Sequence, residues 1–345
     1  DQGRSRRQVG EQPGQGIALL LGLLCLMNLR DFYQKAVETG IAHDPRGRDA
    51  VRKELRRVEK DYRELKKDEQ DLFDAESLQN PYADSRILHG SGGEEVQCAL
   101  VGIDIEAAEI ILADRLRERG EKIDLVVAHH PEGMAFANLP AVMYMQSDIL
   151  SRFGVPINIA EDLMEGRAKE IERRLMPLNH TRAVDAARLL NVPFLCLHTP
   201  ADNMVVTFLQ KMFDEQAPYT LSDVVDLLNT VPEYREARRV GAGPRILQGS
   251  KTRRAGKIFV DMTGGTEGSK DIFQSLSTSG VNTIVGMHIS EEHRKEAEKN
   301  HLNVVIAGHI SSDNLGMNLL LDAVTGETGI RLLACSGFSR ISRLQ

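Results

Sequence analysis

Residues 124–131 read DLVVAHHP, and this stretch decides the fold. Leu125 to Ala128 form a short, purely apolar run. Such a run, without polar alternation, is a strand buried on both faces, as in a parallel sheet covered by helices. It leads straight into two histidines and a proline. Open α/β sheets bind ligands just beyond the carboxyl ends of their strands. His129 and His130 therefore stand where such a fold does its chemistry. Neighbouring side chains on extended chain point in different directions. The pair can serve two ions, or one ion and a substrate, or each ring can pack independently.

The same pattern extends on both sides. Short apolar runs at 96–103, 124–128, 155–159, 192–197, 257–262, 282–286 and 303–307 read as strands. Between them, residues 107–119, 141–153, 163–175, 183–190, 269–278 and 291–299 read as helices. Alternation of this kind predicts an α/β fold. Upstream, residues 49–71 are dense in charge, with Val51, Leu55, Val58, Tyr62, Leu65 and Leu72 at helical spacing. They predict a helix laying one stripe on the fold or on a partner, ended before Pro81. With 345 residues, two units are expected, at roughly 100–200 residues per domain. The division expected is 1–26, a non-native or disordered extension; 27–90, a helical extension; 91–202, a first α/β lobe; 203–254, a helical linker or insert; and 255–345, a second α/β segment completing a cleft.

Two further strand ends resemble the first. Residues 192–197 run into His198-Thr-Pro-Ala-Asp202, and 303–307 into Gly308-His309-Ile-Ser-Ser-Asp313. Each places a histidine and an aspartate four residues apart, on one face of a helix if a helix starts there. Imidazoles and carboxylates at three strand ends suit a mixed nitrogen/oxygen metal site for Zn, Mn, Fe, Co or Ni. Gly264, Gly265 and Thr266 follow another strand and precede a helix; they read as a tight turn or as backbone facing a phosphate. Asp104 orients a ligand histidine or caps the helix behind it. His288 and His293 flank an acidic helix start and read as its solvent-facing ends or as the mouth of a site.

Composition sets limits. Lys plus Arg number 43 against 50 Asp plus Glu, a net charge of −7, which argues against whole-surface attraction to nucleic acid. The chain is 41% hydrophobic and 27% charged, ordinary for a globular protein, and with 5% aromatics its core must be aliphatic. Cys25, Cys98, Cys196 and Cys335 are scattered, which fits thiols in a reducing, cytoplasmic setting and gives no thiolate zinc site. Residues 16–27, GIALLLGLLCLM, follow a basic stretch as a signal peptide would. At about 20 residues per membrane span the run is too short to cross. Met27 opens a helical pattern, so translation is expected to begin there.

The elements GIDI at 102–105, DLVVAHHPEG at 124–133, LHTPAD at 197–202, IFVDMTGG at 258–265 and VVIAGHISSD at 304–313 resemble the NGG-interacting-factor-three-like family. Its members carry the name GTP cyclohydrolase I type 2 homologues. The resemblance covers roughly residues 96–335. It implies a two-lobed α/β fold with a dinuclear metal centre in the cleft, and a ring-shaped homo-oligomer. It places the metal ligands on His129, His130, Asp202, His309 and Asp313. Asp313 departs from the family, where glutamate is usual; it is one methylene shorter, so helix placement must compensate. Glu132 after Pro131 is a second departure.

Two divalent ions about 3.5–4 Å apart polarise the bond under attack and activate water as nucleophile. The expected function is thus a metal-dependent hydrolase, with Glu132 or Glu161 as general base and a nucleotide or phosphorylated small molecule as substrate. The resemblance adds ring-opening hydrolysis of GTP, with the Gly264–Thr266 turn facing phosphate. The competing expectation is a non-catalytic metal-binding regulator, chaperone or scaffold.

Overall fold

The computed structural model describes residues 27–326 and 328–344. The expectations for residues 1–26, and Cys25 with them, lie outside the described residues. In chain order the strands that form the two main sheets are β1 (Arg86–His89), β2 (Cys98–Gly102), β3 (Leu125–Ala128), β4 (Phe194–Cys196), β5 (Arg245–Gln248), β6 (Lys257–Asp261), β7 (Val281–Gly286), β8 (Asn303–Ile306) and β9 (Arg331–Cys335). The principal helices are α1 (Leu29–Ala42), α2 (Arg48–Glu64), α3 (Ala107–Glu118), α4 (Met145–Arg152), α5 (Ile157–Leu175), α6 (Arg182–Leu189), α7 (Thr199–Gln216), α8 (Leu221–Leu228), α9 (Pro232–Arg239), α10 (Ile272–Thr278), α11 (Glu291–Lys299) and α12 (His309–Thr325).

The first sheet has the order β9-β2-β3-β4-β1, parallel except for β1. The second has the order β5-β8-β7-β6, parallel except for β5. Both are covered on both faces, and the two-residue period of a strand shows how. Leu125 and Val127 enter one core with α1, α7 and α12; Val126 and Ala128 enter another with α3 and α6. In the second sheet Phe259, Ile284 and Val304 pack toward α4, α5 and α10, while Val260, Val285 and Val305 pack toward α7, α8 and α9.

Helices α7 and α12 tie the sheets together. In α7, Ala201 and Met204 belong to the core of the first sheet, and Val205, Leu209 and Phe213 to that of the second. The two helices pack so closely that a Cβ on Gly316 would lie 2.5 Å from the Ala201 carbonyl oxygen. Both helices begin at the cleft between the sheets, with Asp202 in the first turn of α7 and Asp313 one turn after His309 in α12.

Several expectations are corrected. The run at 155–159 is no strand: α5 starts at Ile157, behind Pro156, and buries Ala160, Met164, Ala168 and Ile171 at helical spacing. The charged helix ends at Glu64 rather than near Pro81, because Leu65 is extended at ψ 147°. The segments expected on either side of 90, 202 and 254 share the two sheets. The 27–90 segment supplies α1 to the first core and β1 to the first sheet. The 203–254 segment supplies most of α7 and the edge strand β5. The 255–345 segment sends β9 back beside β2.

The carboxyl-terminal residues bind α9 to α12. Buried Glu233 accepts from Arg343 Nη1 at 2.8 Å, Arg343 Nη2 at 2.6 Å and Asn318 Nδ2 at 3.1 Å. Arg343→Ala leaves this carboxylate buried without its cation, a loss of about 3 kcal/mol. The expected result is a lower urea midpoint with an unchanged slope; an unchanged midpoint would show that the pair contributes nothing.

Candidate metal centre

Each histidine is placed by a strand end. His129 and His130 continue the β2–β3 ladder, donating their backbone N–H groups to the carbonyls of Gly102 and Ile103 at 3.0 Å each. His198 follows β4 and directly precedes α7. Gly308, at φ 114°, turns the chain from β8 into α12, and a Cβ there would meet Ser311 Oγ at 2.6 Å. The four-residue spacing then works as a helix turn does. His198 Nε2 stands 3.7 Å from Asp202 Oδ2, and His309 Nε2 stands 3.6 Å from Asp313 Oδ2.

The three strand ends converge. His129 Nε2 is 3.5 Å from both Asp202 Oδ1 and Asp313 Oδ1, and His130 Nε2 is 3.5 Å from Asp313 Oδ2. These separations exceed a hydrogen bond. They match the edge of a tetrahedral donor set, about 3.3–3.6 Å for metal–ligand bonds of 2.0–2.2 Å. Donor atoms fall into three overlapping groups, each within 4.8 Å: His129–His130–His198, His130–His309–Asp313 and His129–Asp202–Asp313. Asp202 Oδ1 and both Asp313 oxygens are buried without a hydrogen-bond partner. Burying ionised oxygen in this way is costly unless a cation compensates. The residues present therefore fit metal ions.

Electrostatics agree. Burial pushes the His129 ring down to about 4, so it is neutral and free to ligate near pH 7. Burial pushes Asp202 up to about 8, reinforced by Asp313 and Asp84 against the pull of His198. Burial opposes a charged His198, but Asp202 and Asp84 prevail and raise it to about 9. Burial would raise Asp313, but the imidazoles of His129, His130 and His309 hold it far below the usual carboxylate range. Protons thus sit where cations would.

Outer partners fix the rings. The Nδ1 atoms of His129, His130 and His198 face the Leu197 carbonyl at 3.2 Å, Asp104 Oδ1 at 2.7 Å and Asp84 Oδ2 at 2.8 Å. Each partner only accepts, so Nδ1 carries a hydrogen and Nε2 is the nitrogen turned to the cluster. Asp84 is fully buried and also accepts from Thr199 Oγ1 at 2.6 Å. Asp104 orients His130, and the cap of α3 is Glu106 instead.

The structure brings together all five residues that the resemblance implies, and adds His198. Its signal was the His-x-x-x-Asp spacing it shares with His309. A cavity of about 560 Å³ opens beside the cluster, lined in part by His130, Glu132, His198, Asp202, His309 and Asp313. Glu132 is raised to about 7 by burial and by Glu106. Glu161 is exposed on α5 and does not line this cavity. Gly265 and Thr266 do line it, but the Thr266 amide bonds to the Gly264 carbonyl, and Gln146 Nε2 holds the carbonyls of Gly264 and Thr266. The His288 ring lies 5.0 Å from that of His309. His293 is buried among Ser290, Glu267 and the Gly268 carbonyl.

Fold and cluster together define a two-sheet α/β protein with a histidine–carboxylate cleft suited to metal. Among solved structures, the chain is similar to a NIF3 superfamily protein from Sphaerobacter thermophilus. The two are 31% identical with a TM-score of 0.65, over 74% of this chain and 91% of that one. The chain belongs to the NIF3 superfamily. Reduced HcgD from Methanocaldococcus jannaschii is 10% identical with a TM-score of 0.46, covering 72% of this chain and 87% of that one. A Bacillus cereus protein related to NIF3 is 10% identical with a TM-score of 0.39, covering 73% and 91%. No family model and no curated protein matches the chain. Among the described residues, no helix is long and apolar enough to cross a membrane.

Proposed function

We propose that the chain holds two divalent ions, drawn from Zn, Mn, Fe, Co and Ni, and uses them as a hydrolase. The observation that carries this reading is Asp313. Its two buried oxygens face different donor sets, Oδ1 toward His129 and Oδ2 toward His130 and His309. Asp313 would thus help to hold each of two ions, with His129 on one side and His130 and His309 on the other. When bound, the ions would polarise the bond under attack and lower the pKa of water.

The chain's own residues supply the rest. His129, His130, His198, Asp202, His309 and Asp313 hold and orient. Glu132 lines the same cavity and titrates near 7, where a carboxylate can both take and return a proton. Arg174 and Arg182 also line the cavity and suit a nucleotide or phosphorylated substrate.

The test is metal analysis of the purified chain, followed by a hydrolysis screen of nucleotides and phosphoesters. About two ions per chain are expected, with turnover above the metal-free control. Glu132→Gln should lower kcat about 100-fold with metal content unchanged. Retained metal without any turnover would favour a non-catalytic metal carrier; no metal after reconstitution would defeat both readings.

A further inference from the structure

Asp261 occupies an unexpected position. It is the last residue of β6, on the same strand face as Phe259, which packs into the apolar layer of α4, α5 and α10. The pattern calls for an apolar side chain there. Instead a carboxylate lines the 560 Å³ cavity among Met262, Ile272, Phe273 and Ile284. Its side chain has no hydrogen-bond or ion-pair partner among the described residues. The neighbouring carboxylate, Glu267, is differently placed: Ser290 N–H donates to it at 2.9 Å and His293 Nδ1 stands 3.4 Å away. The arginines that line the cavity, Arg174 and Arg182, are exposed side chains from α5 and α6.

We propose that Asp261 is a specificity residue of this cavity, taking an N–H donor group of the substrate, an amine or amidine carried on an apolar or aromatic body. The inference deepens the hydrolase reading by naming a chemical feature of its substrate, and rests on it for the word substrate alone. The physical reason is asymmetry of cost. A cavity wall that holds a half-buried, unpartnered carboxylate gains from a ligand that donates to it and is penalised by one that covers it without donating. A carboxylate at this point of the wall also repels an anionic group placed against it, while Arg174 and Arg182 line the cavity elsewhere. Burial and Glu267 raise Asp261 to about 6, consistent with an anion lacking a counter-charge. A void of about 20 Å³ touches the same residue, room for one water. Solvation by that water is the rival account.

The test uses benzamidine and benzoate as probes of the full chain, with binding followed by ligand-detected NMR. The wild type should bind benzamidine in preference to benzoate, with and without metal. Asp261→Asn should weaken benzamidine at least about tenfold, a charge-assisted hydrogen bond of about 1.5 kcal/mol or more, while Asp261→Glu should retain part of it. On protein loaded with Mn²⁺, benzamidine signals should broaden, placing the probe beside the cluster. Equal binding by wild type and Asp261→Asn, a preference for benzoate, or no broadening on protein shown by metal analysis to hold Mn²⁺ would overturn the proposal. Should Asp261→Asn fail to fold, the wild-type preference and the broadening still decide. Because the preference is also read on metal-free protein, failure of the hydrolase reading remains distinguishable from failure of this one.

Discussion

Asp313→Asn is expected to strip the chain of its bound metal. Asparagine keeps the shape and volume of the side chain and removes only the charge and one strong donor. Asp313 is the residue on which three imidazoles converge, at 3.5 Å for His129, 3.5 Å for His130 and 3.6 Å for His309. It belongs to two of the three donor groups. Losing an outer partner of a ligand already costs about 10–100-fold in affinity, so losing a ligand shared by both ions should cost more than about 100-fold. Metal analysis after dialysis should fall from about two ions per chain to nearly none. The variant bears directly on the shorter side chain that stands where the family usually has glutamate. The helix start at His309 brings Asp313 within reach without the extra methylene, and Asp313 is fully buried. An Asp313→Asn chain that keeps both ions would defeat the dinuclear reading.

What the sequence made legible follows from local physics. The strand ends that carry His129, His198 and His309 announce themselves through short apolar runs, because a strand covered on both faces must be apolar throughout. The helix-turn spacing of His198 to Asp202 and of His309 to Asp313 is equally local. Of the edge strands of the two main sheets only β6 was legible; β1, β5 and β9 were not. β5 alternates exposed and half-buried residues, and β9 is partly exposed along its length, so neither contains a fully buried run. The stretch at 155–159 looked like a strand because it is short and apolar, and only the stripe further along α5 shows it to be a helix start. Asp84 lay beyond reach for another reason. It orients His198 from 114 residues upstream, and no periodicity encodes that pairing. The same holds for Glu233 and Arg343, 110 residues apart. Asp261 was the reverse case: its residue type was visible, but only the register of β6 shows that an apolar side chain was due there.

Removing metal should make the fold sensitive to alkaline pH, and restoring it should remove that sensitivity. The sign follows group by group. Asp202 is raised to about 8 in the folded chain, against about 3.9 unfolded. The folded state therefore binds the extra proton between those values, and stability falls as pH rises through them. His198, raised to about 9 from about 6.5, contributes stability that is full below the lower value and lost as pH climbs through the higher. His129 acts oppositely. Lowered to about 4, it makes the unfolded state the better proton acceptor between about 4 and 6.5, so stability rises with pH there. On these groups the opposing slopes of Asp202 and His129 cancel between about pH 4 and 6.5, and metal-free protein should melt at progressively lower temperature from there toward pH 9. A cation bound by N and not by U adds about 4 kcal/mol at a thousandfold excess over Kd. With unfolding entropy of about 2.1 cal/mol/K per residue, that raises Tm by roughly 6 °C for a chain of 345 residues. The gap should widen between pH 6.5 and 9, because the ions replace the protons on Asp202 and His198. Metal uptake at pH 7 should accordingly release protons, read as a dependence of the binding heat on the ionisation enthalpy of the buffer. Metal-free Tm that stays level or rises from pH 6.5 to 9, or uptake without proton release, would mean that the buried Asp202–His198 pair does not hold the charge that the ions are proposed to displace.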